Sequence, residues 1–220
     1  MNMPLLIALL VCVLLLWLSF RRRKTRRLAF INNYRFHPAI RQRVQQRYPH
    51  LNDGQLEMVM EGLRDYFHLC NQADRKMVSM PSQVVDEAWH SFILFTREYR
   101  RFCQAALGRF LHHTPVEAMH SPTDAQQGIK RAWRLACHRQ KIDPQQPDRL
   151  PLIFALDTEL AIPDGFKYRL DCRNPASPHY ADGYCAGHIG CASDCAGDSD
   201  GGLFDGDGGG SDCGGGCGGD

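Results

Sequence analysis

Residues 4–20, PLLIALLVCVLLLWLSF, contain no charged residue. That absence removes the polar face of an ordinary surface helix, and a chain-terminal segment is poorly placed for a buried core helix. Residues 21–27 (RRRKTRR) hold six basic residues and no acid. Residues 182–220 hold eight Asp and no Lys or Arg, together with 15 of the 20 Gly and five of the ten Cys. The chain also lacks a Gly-rich phosphate loop, an H-E-x-x-H pair and a nucleophile elbow, three of the commoner signatures of catalytic chemistry. No internal repeat of 20–50 residues is present, which excludes a solenoid. The net charge of +2 therefore averages over three regions of different character.

The uncharged run spans about 26 Å as a helix, near the lower limit for crossing a hydrocarbon core. MNMP precedes it and RRRKTRR follows, the reverse of the charge order of a cleaved signal peptide. Trp17 lies near the basic end, where an interfacial aromatic is expected. The sequence thus predicts a single-pass transmembrane anchor over residues 1–27. Its N-terminus faces outward, its basic run lies against anionic lipid headgroups, and the rest of the chain is cytoplasmic at an inner or plasma membrane.

Residues 28–181 carry 20 basic against 16 acidic residues and are long enough for one domain with a real core. Leu56, Val59, Met60, Leu63, Phe67 and Cys70 recur at steps of three and four, which predicts a helix over 54–70 capped by Asn52 or Asp53. A shorter helix is expected over 36–48. Val85, Ala88, Trp89 and Phe92 mark another over 82–94. Thr96 is a cap for the next, with its stripe at Tyr99, Phe102, Cys103 and Ala106 and its stop at Gly108. Ser121-Pro122-Thr123-Asp124 reads as a helix start, followed by the face Ile129, Ala132, Trp133 and Ala136. Pro144, Pro147, Pro151 and Pro163 break residues 143–170, where LPLIFAL reads as a short helix or an extended segment. The fold class expected is all-α: a transmembrane helix, a small helical domain, and a disordered Gly-rich tail over 182–220, where apolar residues are too few to offset the entropy of ordering so much glycine. Cys185, Cys191, Cys195, Cys213 and Cys217, with His188, are metal-ligand types, but their spacing matches no paired C-x2-C framework. The run DGDGGGSD lacks the Glu that closes a calcium-binding EF-hand loop.

Chemistry-bearing residues concentrate between 86 and 113. Asp86 and His90, four apart, share one helix face; Tyr99 and Cys103 share another; His112 and His113 follow the Gly108 break. If the two helices form a hairpin, Asp86, His90, Cys103 and His112 or His113 converge as a metal site of the kind zinc or iron takes. The opposing reading is structural: Cys103 sits on an apolar stripe, His90 bonds Asp86 or a carbonyl, and the His pair ends a helix. A Cys103/His113 nucleophilic pair has nothing in the sequence to orient it.

Residues 84–115 carry D-E-A-W-H, T-x-x-Y-x-x-F-C, G-x-F and H-H-x-P, which resemble the glycine-rich domain-containing protein-like family. The resemblance extends loosely over residues 35–175. It implies a helical domain followed by a Gly-rich tail, without an established molecular activity. Its plant members are associated with development and stress responses, and some have been proposed to bind RNA. The N-terminal anchor departs from those soluble members. The functional expectation is a membrane-tethered module that binds a protein partner. The alternatives are a zinc- or iron-binding enzyme or sensor at Asp86, His90, Cys103, His112 and His113, and RNA binding. A nucleic-acid partner is disfavoured by the weak charge excess of the body. No catalytic residue and no organic cofactor is assigned.

Overall fold

The computed structural model describes residues 3–113, 122–170, 184–186 and 189. Seven helices and a minimal strand pair are found among them. They run α1 (Met3–Asn33), α2 (Pro38–Arg47), α3 (Asp53–Gln72), α4 (Gln83–Ile93), α5 (Thr96–Ala106), α6 (Pro122–Gln140), α7 (Leu152–Glu159), β1 (Tyr168–Arg169) and β2 (Tyr184–Cys185). β1 and β2 are parallel, with Tyr168 opposite Tyr184.

α3 is the central helix, touching α1, α2, α4, α6 and α7. The Asn52 carboxamide accepts from the Gln55 N–H at 2.9 Å while the Gln55 side chain accepts from the Asn52 N–H at 2.9 Å, a reciprocal cap that starts the helix. Its inward face, including Leu56, Val59, Leu63 and Phe67, is buried as the periodicity requires. Phe67 meets Phe102 of α5 at 4.5 Å between ring centroids, and Tyr34 meets Phe102 at 4.6 Å. Cys103 and Ala106 complete the buried stripe of α5. Thr96 is the first residue of that helix and not its cap; Phe95 occupies the cap position without a side-chain bond. Gly108 ends the helix at φ +71°, its N–H donating to the Cys103 and Gln104 carbonyls at 3.0 and 3.1 Å. Ser121 lies outside the described residues, but α6 begins at Pro122 as its sequence suggests. LPLIFAL resolves as α7, its buried face set by Ile153, Phe154 and Leu156.

The predicted membrane span is corrected by the fold. Among the described residues, no helix is long and apolar enough to cross a membrane. α1 continues through the basic run without a break and ends on the body. Ile31 is fully buried there, and Phe30 lies 5.8 Å from Phe102. Arg64 donates to the Ile31 and Tyr34 carbonyls at 2.8 and 2.9 Å, satisfying acceptors that a helix end leaves unpaired. The single-pass description, the inner- or plasma-membrane location and the cytoplasm-facing topology fall with the span. The expected disordered tail lies outside the described residues, save 184–186 and 189. Ala186 is buried in the core, so the body reaches past residue 181.

α7 supplies the join that positions α4. Asp157, buried at 3% exposure, accepts from the Ser82 hydroxyl at 2.7 Å and from the Gln83, Val84 and Phe166 N–H groups at 2.7, 3.2 and 2.8 Å. Gly165 permits the last of these, since a Cβ there would lie 2.6 Å from the Asp157 Cβ.

His68 of α3 bonds the Asn32 side chain of α1 at 2.7 Å through Nε2, while its Nδ1 is buried without a partner. Burial, reinforced by Arg139 and Arg64, pushes its pKa down to about 4. The unfolded chain therefore binds this proton more readily than the folded one. The associated stability is complete above the unfolded value near 6.5 and is lost as pH falls towards 4. The expected loss is about 3 kcal/mol across that window. Urea unfolding of the parent and of His68→Gln from pH 7 to 4 checks this. The parent should lose more stability than the variant, and parallel profiles would contradict the assignment.

Candidate metal centre

Asp86 and His90 lie one turn apart on α4, on the face beside the buried Val85/Ala88/Trp89/Phe92 stripe. Ser82 caps α4, accepting from the Val85 N–H at 3.3 Å, and the Asp157 carboxylate holds the same helix start. His113 arrives from a different part of the chain, the segment after the Gly108 turn. One ligand atom from each of Asp86, His90 and His113 lies within 4.8 Å of the others. The Asp86 carboxylate stands between the two imidazoles. Its Oδ1 is 3.1 Å from His113 Nε2 and its Oδ2 is 3.2 Å from His90 Nδ1. The rings lie 4.1 Å apart between centroids, tilted by 48°. His90 Nδ1 also lies 3.0 Å from the Asp86 backbone carbonyl.

A short relay of hydrogen bonds holds His113 in place. The Trp89 indole N–H donates to the Tyr99 hydroxyl at 3.0 Å, and that hydroxyl donates to the Leu111 carbonyl at 2.6 Å. The relay ties the turn after α5 back to α4, and the His113 ring packs on Trp89 at 4.6 Å between centroids. Burial raises the Tyr99 pKa well above the ordinary phenol value, which keeps the hydroxyl protonated as a donor.

The structure therefore brings together three of the five residues expected at a site. Cys103 is not among them: it is fully buried on the inward stripe of α5, and burial raises its thiol pKa. His112 reaches the same cleft but stacks edgewise on Phe110 at 4.7 Å, outside the three-way group. Of the tail cysteines, Cys191, Cys195, Cys213 and Cys217 lie outside the described residues, and Cys185 is described only as a backbone position of β2. The site opens into a cleft of about 550 Å³. Its walls include Tyr66, Met77, Val78, Trp89 and Phe110, with Arg75, Lys76 and Arg109 also lining it. Cys70 contributes a thiol whose pKa burial pushes up to about 12. The three cations leave no signal in the sequence, because they come from two separate turns and share no periodicity.

Two imidazoles and a carboxylate are suitable ligands for zinc, iron and related divalent ions. Donor atoms around such an ion stand roughly 3 Å apart, given bonds near 2.1 Å, so side-chain rotation closes the observed spacing. Asp86 is less than one-fifth exposed, and so is His113, whereas His90 is about half exposed. The set is thus partly desolvated and open on one side, an arrangement with room for further ligands.

The UCP032817-like family model matches residues 26–189, most of the chain, and the protein belongs to that family. The match covers all three converging side chains. No curated protein and no solved structure matches the chain.

Replacing Tyr99 with Phe leaves the buried Trp89 N–H and the Leu111 carbonyl without their shared partner. The expected cost is about 1–3 kcal/mol, read as a fall of several degrees in unfolding temperature. In NMR spectra of the histidine rings, His113 should shift more than His90. Equal shifts would show that the relay does not position His113.

Proposed function

We propose that this member of the UCP032817-like family is a metal-dependent protein, with Asp86, His90 and His113 holding one divalent transition ion, zinc or iron, at the edge of the cleft. The observation that carries the reading is the convergence of a carboxylate and two imidazoles, from two separate segments, within 4.8 Å. Three protein ligands with positions left open are the pattern of catalytic rather than purely structural centres. Such an ion, when bound, supplies Lewis acidity toward a ligand in the cleft.

The protein's own groups support the same reading. Asp86 is held by the helix that Asp157 anchors, so its carboxylate is presented on a fixed frame. His90 Nδ1 is the ring nitrogen that faces the Asp86 carboxylate, so it is the atom that would share an ion with it, exchanging its contact with the Asp86 carbonyl for the metal. The likeness of D-E-A-W-H and H-H-x-P to the glycine-rich domain-containing protein-like family is proposed alongside; Asp86, His90 and His113 fall inside those two motifs.

Elemental analysis of the full chain, purified without a metal-binding tag and dialysed against zinc or ferrous ion, tests the reading. One equivalent of metal should be retained. His90→Ala and His113→Ala should each weaken binding at least tenfold, as losses at ligand positions do. Cys103→Val should retain the full equivalent. Retention by both histidine variants would assign the metal elsewhere, and no retention by the parent would leave the group as a hydrogen-bonded Asp/His cluster.

A further inference from the structure

We infer that the cleft beside Asp86, His90 and His113 binds a small organic anion, with a carboxylate or phosphate head and an apolar body. This rests on the metal reading for the site's ion but not for the cleft's charge. Three cationic side chains, Arg75, Lys76 and Arg109, line the cleft, and Asp86 is its one described carboxylate. Asp86 is already engaged by the two histidines. Arg109 donates through Nε to the Asp74 backbone carbonyl at 3.0 Å, and its terminal NH2 reaches the same oxygen. That acceptor is a neutral amide, so the guanidinium is oriented there without cancellation of its charge. Asp74 takes a left-handed backbone at φ 54°, which turns the chain so that its carbonyl meets Arg109.

The remaining walls fit an apolar body. Trp89, Phe110, Met77 and Val78 present hydrocarbon and aromatic surface, and the volume of about 550 Å³ is that of a small-molecule site. The Tyr66 hydroxyl donates to the Val78 carbonyl at 3.1 Å, so the wall opposite α4 is fixed to α3. The Ser79 hydroxyl donates to the Ala125 carbonyl at 3.1 Å and fastens it to α6. A bound cation at Asp86 would add positive charge at one end of the cleft, with Arg109, Arg75 and Lys76 lining it as well. An anion is the ligand such a field draws in.

Calorimetric titration of the full chain separates the cleft from the metal. Benzoate and phenyl phosphate serve as anionic probes and benzyl alcohol as the neutral one of similar shape, each with zinc and with EDTA. In zinc, at least one anion should bind tenfold or more tightly than benzyl alcohol. Arg109→Gln should reduce that preference by about tenfold while zinc stoichiometry stays at one. Arg75→Gln, at an exposed position, provides a second variant that does not disturb the Asp74 turn, and it too should weaken the anion. Preference for benzoate assigns a carboxylate head, and preference for phenyl phosphate assigns a phosphate. Zinc bound but no anion preference, or a preference unchanged in both variants, overturns the inference alone. An anion preference in protein that binds no zinc supports the cationic cleft and overturns only the metal reading.

Discussion

The buried carboxylate of Asp157 is the contact on which the site depends. It gathers the Ser82 hydroxyl and three backbone N–H groups from the start of α4 and from Phe166. An ionised carboxylate taken out of water is costly, and four donors aimed at it are what make the burial tolerable. The two N–H groups at the start of α4 are among those a helix leaves unpaired, and a negative charge there also suits the helix dipole. The same bonds settle the position of α4 against α7 and the Phe166 segment. Since α4 carries Asp86 and His90, a carboxylate 67 residues or more along the chain from either sets where both ligands stand.

The third ligand is placed by different means. His113 has no helix of its own; the Gly108 turn brings the chain back, and Tyr99 fastens it through Leu111 while accepting from Trp89. Two independent restraints, one carboxylate and one phenol, thus meet at one cluster of side chains. Both are buried away from the cleft, where solvent competes weakly for the donors. The cleft itself stays open, and among the described residues its charge is concentrated in cations on the walls and its acid is Asp86.

Much of the fold was legible because helices announce themselves by period. The stripe Leu56 to Cys70 and the stripe Tyr99 to Ala106 are buried where the spacing of three and four placed them. Asp86 and His90 were paired correctly by the same rule, and Gly108 by its need for a left-handed turn. Of the two readings of Cys103, the apolar stripe outweighs its chemistry as a ligand and turns it into the core. The apolar N-terminal run was misjudged, since composition suggests a span while the helix runs on through the basic segment to pack at Ile31. Asp157 left a signal, an acid that directly follows the uncharged apolar stretch LPLIFAL. The relay from Trp89 to Leu111 left none, because tertiary hydrogen bonds between a ring, a phenol and a backbone carbonyl have no sequence period.

The central claim is that Asp86, His90 and His113 form one metal site. Anomalous X-ray diffraction from crystals of the zinc-treated full chain, recorded on both sides of the zinc absorption edge, tests it most directly. The account predicts one strong anomalous peak bounded by the Asp86 carboxylate and the two imidazoles, at about 2.1 Å from each ligand atom. A peak at other ligands with none here, or undisturbed hydrogen bonds from both histidines to Asp86 in the zinc-treated crystal, would contradict it.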